Sequence, residues 1–299
     1  MNGILPVWKP KHCTSHDVVS AVRRLARQKK AGHTGTLDPS VEGVLPICLG
    51  KATRVAEYVQ NLPKTYVGTL TLGIATDTQD QDGTITAKQP VHEFSEEKLD
   101  EVFELFTGEI EQVPPMYSAV KVKGRRLYEL AREGKEIDRK ARKVHIYRLD
   151  RLNVRIGDYP QIDFTVECSK GTYIRALCVE IGQALGYPAH MSHLVRVKSG
   201  PFQETDCVTL SQLESTSVSQ WQSKWLKPIE AGLVQFPSCQ VSLEERRRIV
   251  NGQPIRLTEG LYEPNSFMRV SVQDEFLALY RSDHTGKQAR AVKVFAENR

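Results

Sequence analysis

The stretch from Gly32 to Gly50 limits the fold more than any other part of the chain. It carries Gly32, Gly35, Pro39, Gly43, Pro46 and Gly50 in close succession. Glycine opens left-handed turns, and proline fixes φ and removes a backbone donor, so no helix can run through it. The spacing predicts a bent loop of fixed shape, a short apolar strand and a turn. Asp38 lies inside the loop, between Leu37 and Pro39. Pro39 confines its predecessor to extended backbone, so this carboxylate is held rigidly. A rigid carboxylate suits nucleophilic or general-base chemistry. An Asp-Pro turn with no chemistry would read the same way.

Around this loop the periodicities alternate between helix and strand. Thr14 or Ser15 can cap a helix running to about Lys30, with Val18, Val19, Val22, Leu25 and Ala26 on one face and Gly32 at its end. Lys64 to Gly73 reads as a strand with Tyr66, Leu70 and Leu72 on one face. Asp77 to Gly83 is a polar turn. Ser95 opens a second helix, with Leu99, Val102, Phe103 and Phe106 on its buried stripe and Gly108 at its end. Pro114-Pro115 leads into Tyr117–Val122, a Lys-Gly turn and a short helix ending near Gly134. Ile162, Phe164, Val166 and Cys168 alternate as a strand. Ser169–Arg175 then opens a helix buried through Ile174, Leu177, Ile181 and Leu185. Residues 203–235 read as connecting helices with Ser- and Gln-rich loops. Beyond Pro237 short strands take over, at Phe267–Val272, Phe276–Tyr280 and Ala289–Phe295.

A chain of 299 residues suits one large domain and a small one. No apolar run is long enough for a signal peptide or a membrane span. The six cysteines form no Cys-x-x-Cys pair and read as reduced, small hydrophobes in an intracellular protein. The net charge of +5 is mild, but it is clustered at 23–30, at Lys121, Lys123, Arg125 and Arg126, at 139–143 and at 246–248. Such clusters suit a polyanion, and solvated helix faces would look the same. No metal-ligand motif, dinucleotide fingerprint or phosphate-binding loop is present, so no cofactor or metal is expected. Two further residues stand out. Tyr66 could be core or could stack on a base. Arg175 could lie on the surface, or be buried and require an anion such as Asp38.

Taken together, several segments resemble the TruB family of bacterial tRNA pseudouridine(55) synthases. They are Gly3–Pro10 with Thr14-Ser15, Gly32–Pro39, Gly43–Pro46 through Gly50–Arg54, Lys64-Thr65-Tyr66, Pro114-Pro115 to Ser118–Lys121, and Gly171–Arg175. They appear in family order over about residues 3–200. The resemblance implies an α/β (α+β) fold: a catalytic domain, residues 1–235, around a mixed, mainly antiparallel sheet. It further implies an inserted thumb-like segment at about 74–115 and a small PUA-like RNA-binding β domain at 238–299. It implies that uridine 55 in the T-loop of tRNA is flipped out and isomerised: N1–C1′ breaks, the uracil turns and C5–C1′ forms, with no cofactor. Asp38 would be the catalytic residue, as nucleophile or as base at the sugar. His33 would occupy space in the T-loop, Tyr66 would stack on the uracil and assist proton removal at C5, and Arg175 would pair with Asp38. Tyr173 would line the pocket and Leu194 would close it. The expected partner is tRNA without a guide RNA, met by a cytoplasmic monomer. The rival readings are the related guide-RNA-dependent enzymes, which share the Thr-Leu-Asp-Pro loop, and a tRNA-folding chaperone.

Overall fold

Along Gln161–Cys168 every second side chain is buried, as the apolar alternation predicts, and this strand crosses the middle of a large sheet. A computed structural model describes residues 1–297 apart from Ala119, Lys123, Glu136 and Glu259, and the side chains of Lys121, Arg126 and Arg132 are also outside the described set. The sequence readings that fall on Ala119, Lys121, Lys123 and Arg126 therefore lie wholly or partly outside it. In chain order the first elements are β1 (Gly3–Lys9), α1 (Ser15–Leu25), β2 (Ala31–His33), β3 (Glu42–Leu49), α2 (Ala56–Asn61) and β4 (Lys64–Leu72). A hairpin of β5 (Ile74–Thr76) and β6 (Ile85–Lys88) follows, then α3 (Glu96–Leu105) and β7 (Gly108–Gln112). Next come β8 (Lys121–Val122), β9 (Arg125–Arg126), α4 (Leu127–Arg132), β10 (Arg142–Arg155), β11 (Gln161–Cys168), α5 (Ile174–Leu185), β12 (Ala189–Ser199) and β13 (Phe202–Gln203).

The main sheet runs β1-β3-β12-β4-β11-β10-β7, with β2 on β3 and β13 on β12. Its described pairings are antiparallel except β12 with β3, so the sheet is mixed and mainly antiparallel. α5 and α3 cover one part, burying Leu99, Phe103, Leu177 and Ile181 against Leu70, Phe164 and Val166. α1 covers another, burying Val18, Val19 and Val22 against Leu5, Leu45 and Ile47.

Two helix ends differ from the sequence expectation. α1 stops at Leu25 rather than near Lys30, and Gly32 sits in β2 instead of capping the helix. The stop is made by Arg27, which turns left-handed at φ 48°. Arg27 N–H then bonds Arg24 O and Gln28 N–H bonds Arg23 O, the paired bonds of a Schellman end. α3 ends at Leu105, and Gly108 begins β7.

After the connecting helices α6 (Leu210–Ser215) and α7 (Val218–Lys224), a second sheet forms. It contains β14 (Ser238–Gln240), β15 (Ile255–Arg256), β16 (Phe267–Val272), β17 (Glu275–Ser282) and β18 (Gln288–Val294), in the order β14-β16-β17-β18-β15, with α8 (Arg246–Val250) beside it. Its own core holds Ile249, Met268, Val270 and Tyr280. Leu279 and Phe295 instead join Ile4, Val44, Val59 and Leu233, so one apolar cluster spans both sheets. Among the described residues no helix is long and apolar enough to cross a membrane.

Candidate active site

The loop after β2 is tied down on both sides of Asp38. Ser15 Oγ accepts from Leu37 N–H at 2.8 Å and donates to Leu37 O at 3.2 Å. Pro39 O accepts from His12 N–H at 2.8 Å and from Lys9 Nζ at 3.3 Å. Asp38 O accepts from Val41 N–H at 3.0 Å. Farther back, Arg196 Nη2 donates to Gly35 O at 3.2 Å while its Nε donates to Val44 O at 2.7 Å. Leu37 is buried in the core and Pro39 cannot flex, so the intervening carboxylate projects from a rigid support. Its side chain keeps 42% of its exposure, which leaves it open to an incoming molecule.

Arg175 is buried, which settles the choice left open by its sequence, and its guanidinium reaches four partners on three other segments. Nε lies 3.1 Å from Asp38 Oδ2 and Nη1 lies 3.6 Å from Asp80 Oδ2. Nη1 also donates to Thr78 O at 2.9 Å, and Nη2 donates to Tyr117 O at 2.7 Å. A buried cation with this many acceptors cannot swing away without leaving several of them unpaired. Asp80 is held in turn by Thr78 Oγ1 at 2.5 Å and Asp82 N–H at 3.1 Å. Burial raises the Asp80 carboxyl above the usual carboxylate range, with Thr78 and Arg175 opposing that rise.

A pocket of about 270 Å³ opens over Asp38. Tyr66, Tyr173, Arg175 and Leu194 line it, together with Lys64, Met191 and Arg196. Adjacent positions on β4 and β12 place Tyr66 beside Arg196. Burial pushes the Tyr66 phenol above its ordinary pKa, and the charge of Arg196 works the other way. Burial likewise raises the Tyr173 phenol. His33 is the exception among the expected residues: it stands on β2, outside the pocket wall, with Nδ1 accepting from Gly35 N–H at 3.3 Å. Its pKa is lowered by burial and by Arg196, which favours the neutral ring.

Nothing in the sequence marks the roles of three polar residues at the site. Asp80 reads only as part of a polar turn. Arg196 is 1% exposed and Lys9 fully buried, and both are bonded chiefly to carbonyls. Lys64 lies on the pocket wall with its ammonium on Gln60 O and Leu62 O, and burial lowers its pKa to about 8. Gly43 shows how tightly β3 meets β12. At φ +126° any Cβ there would stand 2.2 Å from Arg196 O, so only glycine fits.

The arrangement offers a rigid exposed carboxylate, a buried counter-ion, an aromatic wall and a concave space for a planar ring. The sequence model described as TruB family pseudouridylate synthase (N terminal domain) matches residues 23–174, and that described as tRNA pseudouridylate synthase B C-terminal domain matches 175–234. The chain is 50% identical over 285 residues to a tRNA pseudouridine synthase B of Geobacillus thermodenitrificans, covering 94% of each. It is 44% identical over 301 residues to one of Oceanobacillus iheyensis, covering 99% of this chain and 98% of the relative. Among solved structures, an H/ACA RNP bound to a substrate RNA containing 2′-deoxyuridine matches with a TM-score of 0.75 and 27% identity, over 99% of this chain and 85% of the other. A Cbf5-Nop10-Gar1 complex matches with a TM-score of 0.73 and 28% identity, over 99% and 84%. The carboxylate on its tethered loop and these matches over most of the chain agree: it belongs to the TruB family of pseudouridylate synthases.

Proposed function

We propose that this protein isomerises uridine 55 in the T-loop of tRNA to pseudouridine, without a guide RNA. The observation that carries the reading is the Asp38–Arg175 pair at the floor of a pocket walled by Tyr66, Tyr173 and Leu194. Family membership and the names of the relatives support tRNA as substrate. A T-loop base is stacked within folded RNA, so it has to be flipped out to reach Asp38. His33, on β2 outside the pocket wall and favoured as a neutral ring, fits the part of a group that fills the vacated space in the T-loop.

In the pocket the uracil would lie against Tyr66, with Leu194 closing the other side. A phenol whose pKa is raised by burial stays protonated, so stacking suits Tyr66 better than proton removal at C5. Asp38 acts at C1′, as nucleophile or as base. The N1–C1′ bond breaks, the base turns, C5–C1′ forms, and the C5 proton is exchanged for one at N1. The reaction is an internal transfer, so its balance calls for no redox partner, metal or ATP. Arg175 holds the carboxylate in place through each step, and Tyr173 limits the space in which the base turns.

We assign the catalytic unit to residues 1–235, with about 74–115 as a thumb-like clamp on the RNA, and residues 238–299 to a PUA-like RNA-binding unit. The basic clusters at 23–30, 139–143 and 246–248 fit phosphate contacts. The protein would work as a monomer in the cytoplasm. Opening the tRNA elbow also remodels it, so a tRNA-folding activity is compatible with this chemistry.

The test is Asp38→Asn beside the unaltered protein, both incubated with bare T-loop tRNA transcript. Unaltered protein should form pseudouridine with no added guide RNA. The variant should bind the tRNA with affinity within about twofold and form none. Normal turnover by the variant, or a need for guide RNA, would overturn the assignment.

A further inference from the structure

Gln112 ends β7 at the edge of the main sheet and is 1% exposed. Its side-chain amide grips one residue from both sides: Oε1 accepts from Tyr173 N–H at 2.8 Å, and Nε2 donates to Tyr173 O at 3.1 Å. Tyr173 stands at the N-cap of α5 but makes no side-chain capping bond, and the turn before it passes through Gly171 at φ +85°. Gln112 therefore supplies the lateral anchor at the point where the chain leaves a flexible turn and enters the helix. Two pocket residues hang on that point, Tyr173 itself and Arg175 one step into α5. The Glu180 carboxyl, two turns into α5, lies within electrostatic reach of the Gln112 amide. Glu180 Oε2 is buried without a partner among the described residues. Gln112 touches no part of the pocket cavity itself.

We infer that Gln112 is a positioning residue for the isomerisation, holding the Tyr173 backbone, and through it the start of α5, in the geometry the pocket requires. This rests on the pseudouridine reading above. A displaced reacting geometry of about 1 Å can cost a hundredfold in rate, whereas substrate binding spread over a large surface hardly changes.

Gln112→Met keeps the volume and removes both bonds. The experiment measures single-turnover pseudouridine formation, tRNA affinity and melting temperature for the unaltered protein and the variant. Expected is a rate at least about tenfold lower, with tRNA Kd within about twofold and a melting temperature above that of the assay. A second variant, Gln112→Glu, keeps the acceptor for Tyr173 N–H but points a carboxylate at Tyr173 O. Glu180 on α5 faces it, and Arg142 pairs with position 112 across the β7–β10 ladder. Its rate should be low at pH 8 and recover toward pH 6, where a protonated carboxyl again donates to Tyr173 O. A wild-type rate for Gln112→Met, or a wild-type pH profile for Gln112→Glu, overturns the inference. If Gln112→Met melts below the assay temperature, the Gln112→Glu profile decides. If the unaltered protein forms no pseudouridine, the proposed function fails instead.

Discussion

At the residue scale the site is built from charges that are partnered within the fold, and the partners differ in how visible they are beforehand. Asp38 and Arg175 stand out in the sequence because glycine and proline punctuate the chain around them. Asp80 does not, because an acid in a polar turn is usually solvated and only folding brings Thr76–Gly83 against β12. Arg196 and Lys9 are invisible for another reason: they are held largely by backbone carbonyls, which every residue possesses. Asp80 yields a direct prediction. Its carboxylate is the second acid on Arg175, and Asp80→Asn leaves the guanidinium paired with Asp38 alone. The guanidinium should then shift toward Asp38 and pull the carboxylate off its line to C1′. Single-turnover pseudouridine formation should fall by about 10- to 100-fold with tRNA affinity unchanged. A rate equal to that of the unaltered protein would show that Arg175 is fixed by Thr78 O and Tyr117 O without Asp80.

At the scale of elements, legibility followed the contrast between faces. β11 alternates buried and half-exposed residues along its whole length, so its period is plain. β1 is buried on both faces, and its continuous apolar run, with Pro6 inside it, hides the period of two. β12 is central yet polar. His190 is buried against Ile74 O and Arg196 against Val44 O and Gly35 O, at positions where a half-buried strand would carry apolar residues. β10 reads only as a basic cluster, since Arg142, Lys143 and Arg148 are all exposed along it. α5 was legible through Ile174, Leu177, Ile181 and Leu185, but the acid on its inner side was not. Burial pushes Glu180 from 4.5 to about 7. Between these values the folded protein holds a proton that the unfolded chain has released, so stability falls as pH rises through that window. The penalty is complete above about pH 7 and absent below about 4.5. Glu180→Gln removes it and keeps the size of the side chain. Its melting temperature should match that of the unaltered protein at pH 4 and exceed it by about 2–4 °C at pH 8, a modest gain because Glu180 is only part-buried. Equal melting temperatures at both pH values would show that Glu180 has access to water.

At the scale of the molecule, the two sheets share a core as well as a chain. Successive side chains of β17 face opposite ways: Tyr280 enters the core of the second sheet, and Leu279 enters the cluster holding Ile4, Val44 and Val59. Polar bonds reinforce the junction. Lys51 Nζ donates to Phe295 O at 2.8 Å, Arg54 Nη1 donates to Val294 O at 2.7 Å, and Lys293 pairs with Glu57 while its ammonium lies 4.7 Å from the centre of the Tyr58 ring. The Gly50–Arg54 motif, quoted above for its family resemblance, thus spends its two cations on docking the second sheet. If the second sheet is the RNA-binding unit proposed above, this junction holds its surface at a constant offset from Asp38, which suits reading the shape of one folded substrate. The energetic consequence can be measured. Leu279→Ala leaves a cavity between the sheets and should cost about 2–5 kcal/mol. If the shared cluster couples them, amide hydrogen exchange should accelerate in β1 and β3 as well as in β17, because opening either side exposes the same apolar surface. Acceleration confined to β16–β18 would mean that the sheets open independently, and the constant offset would then need another source.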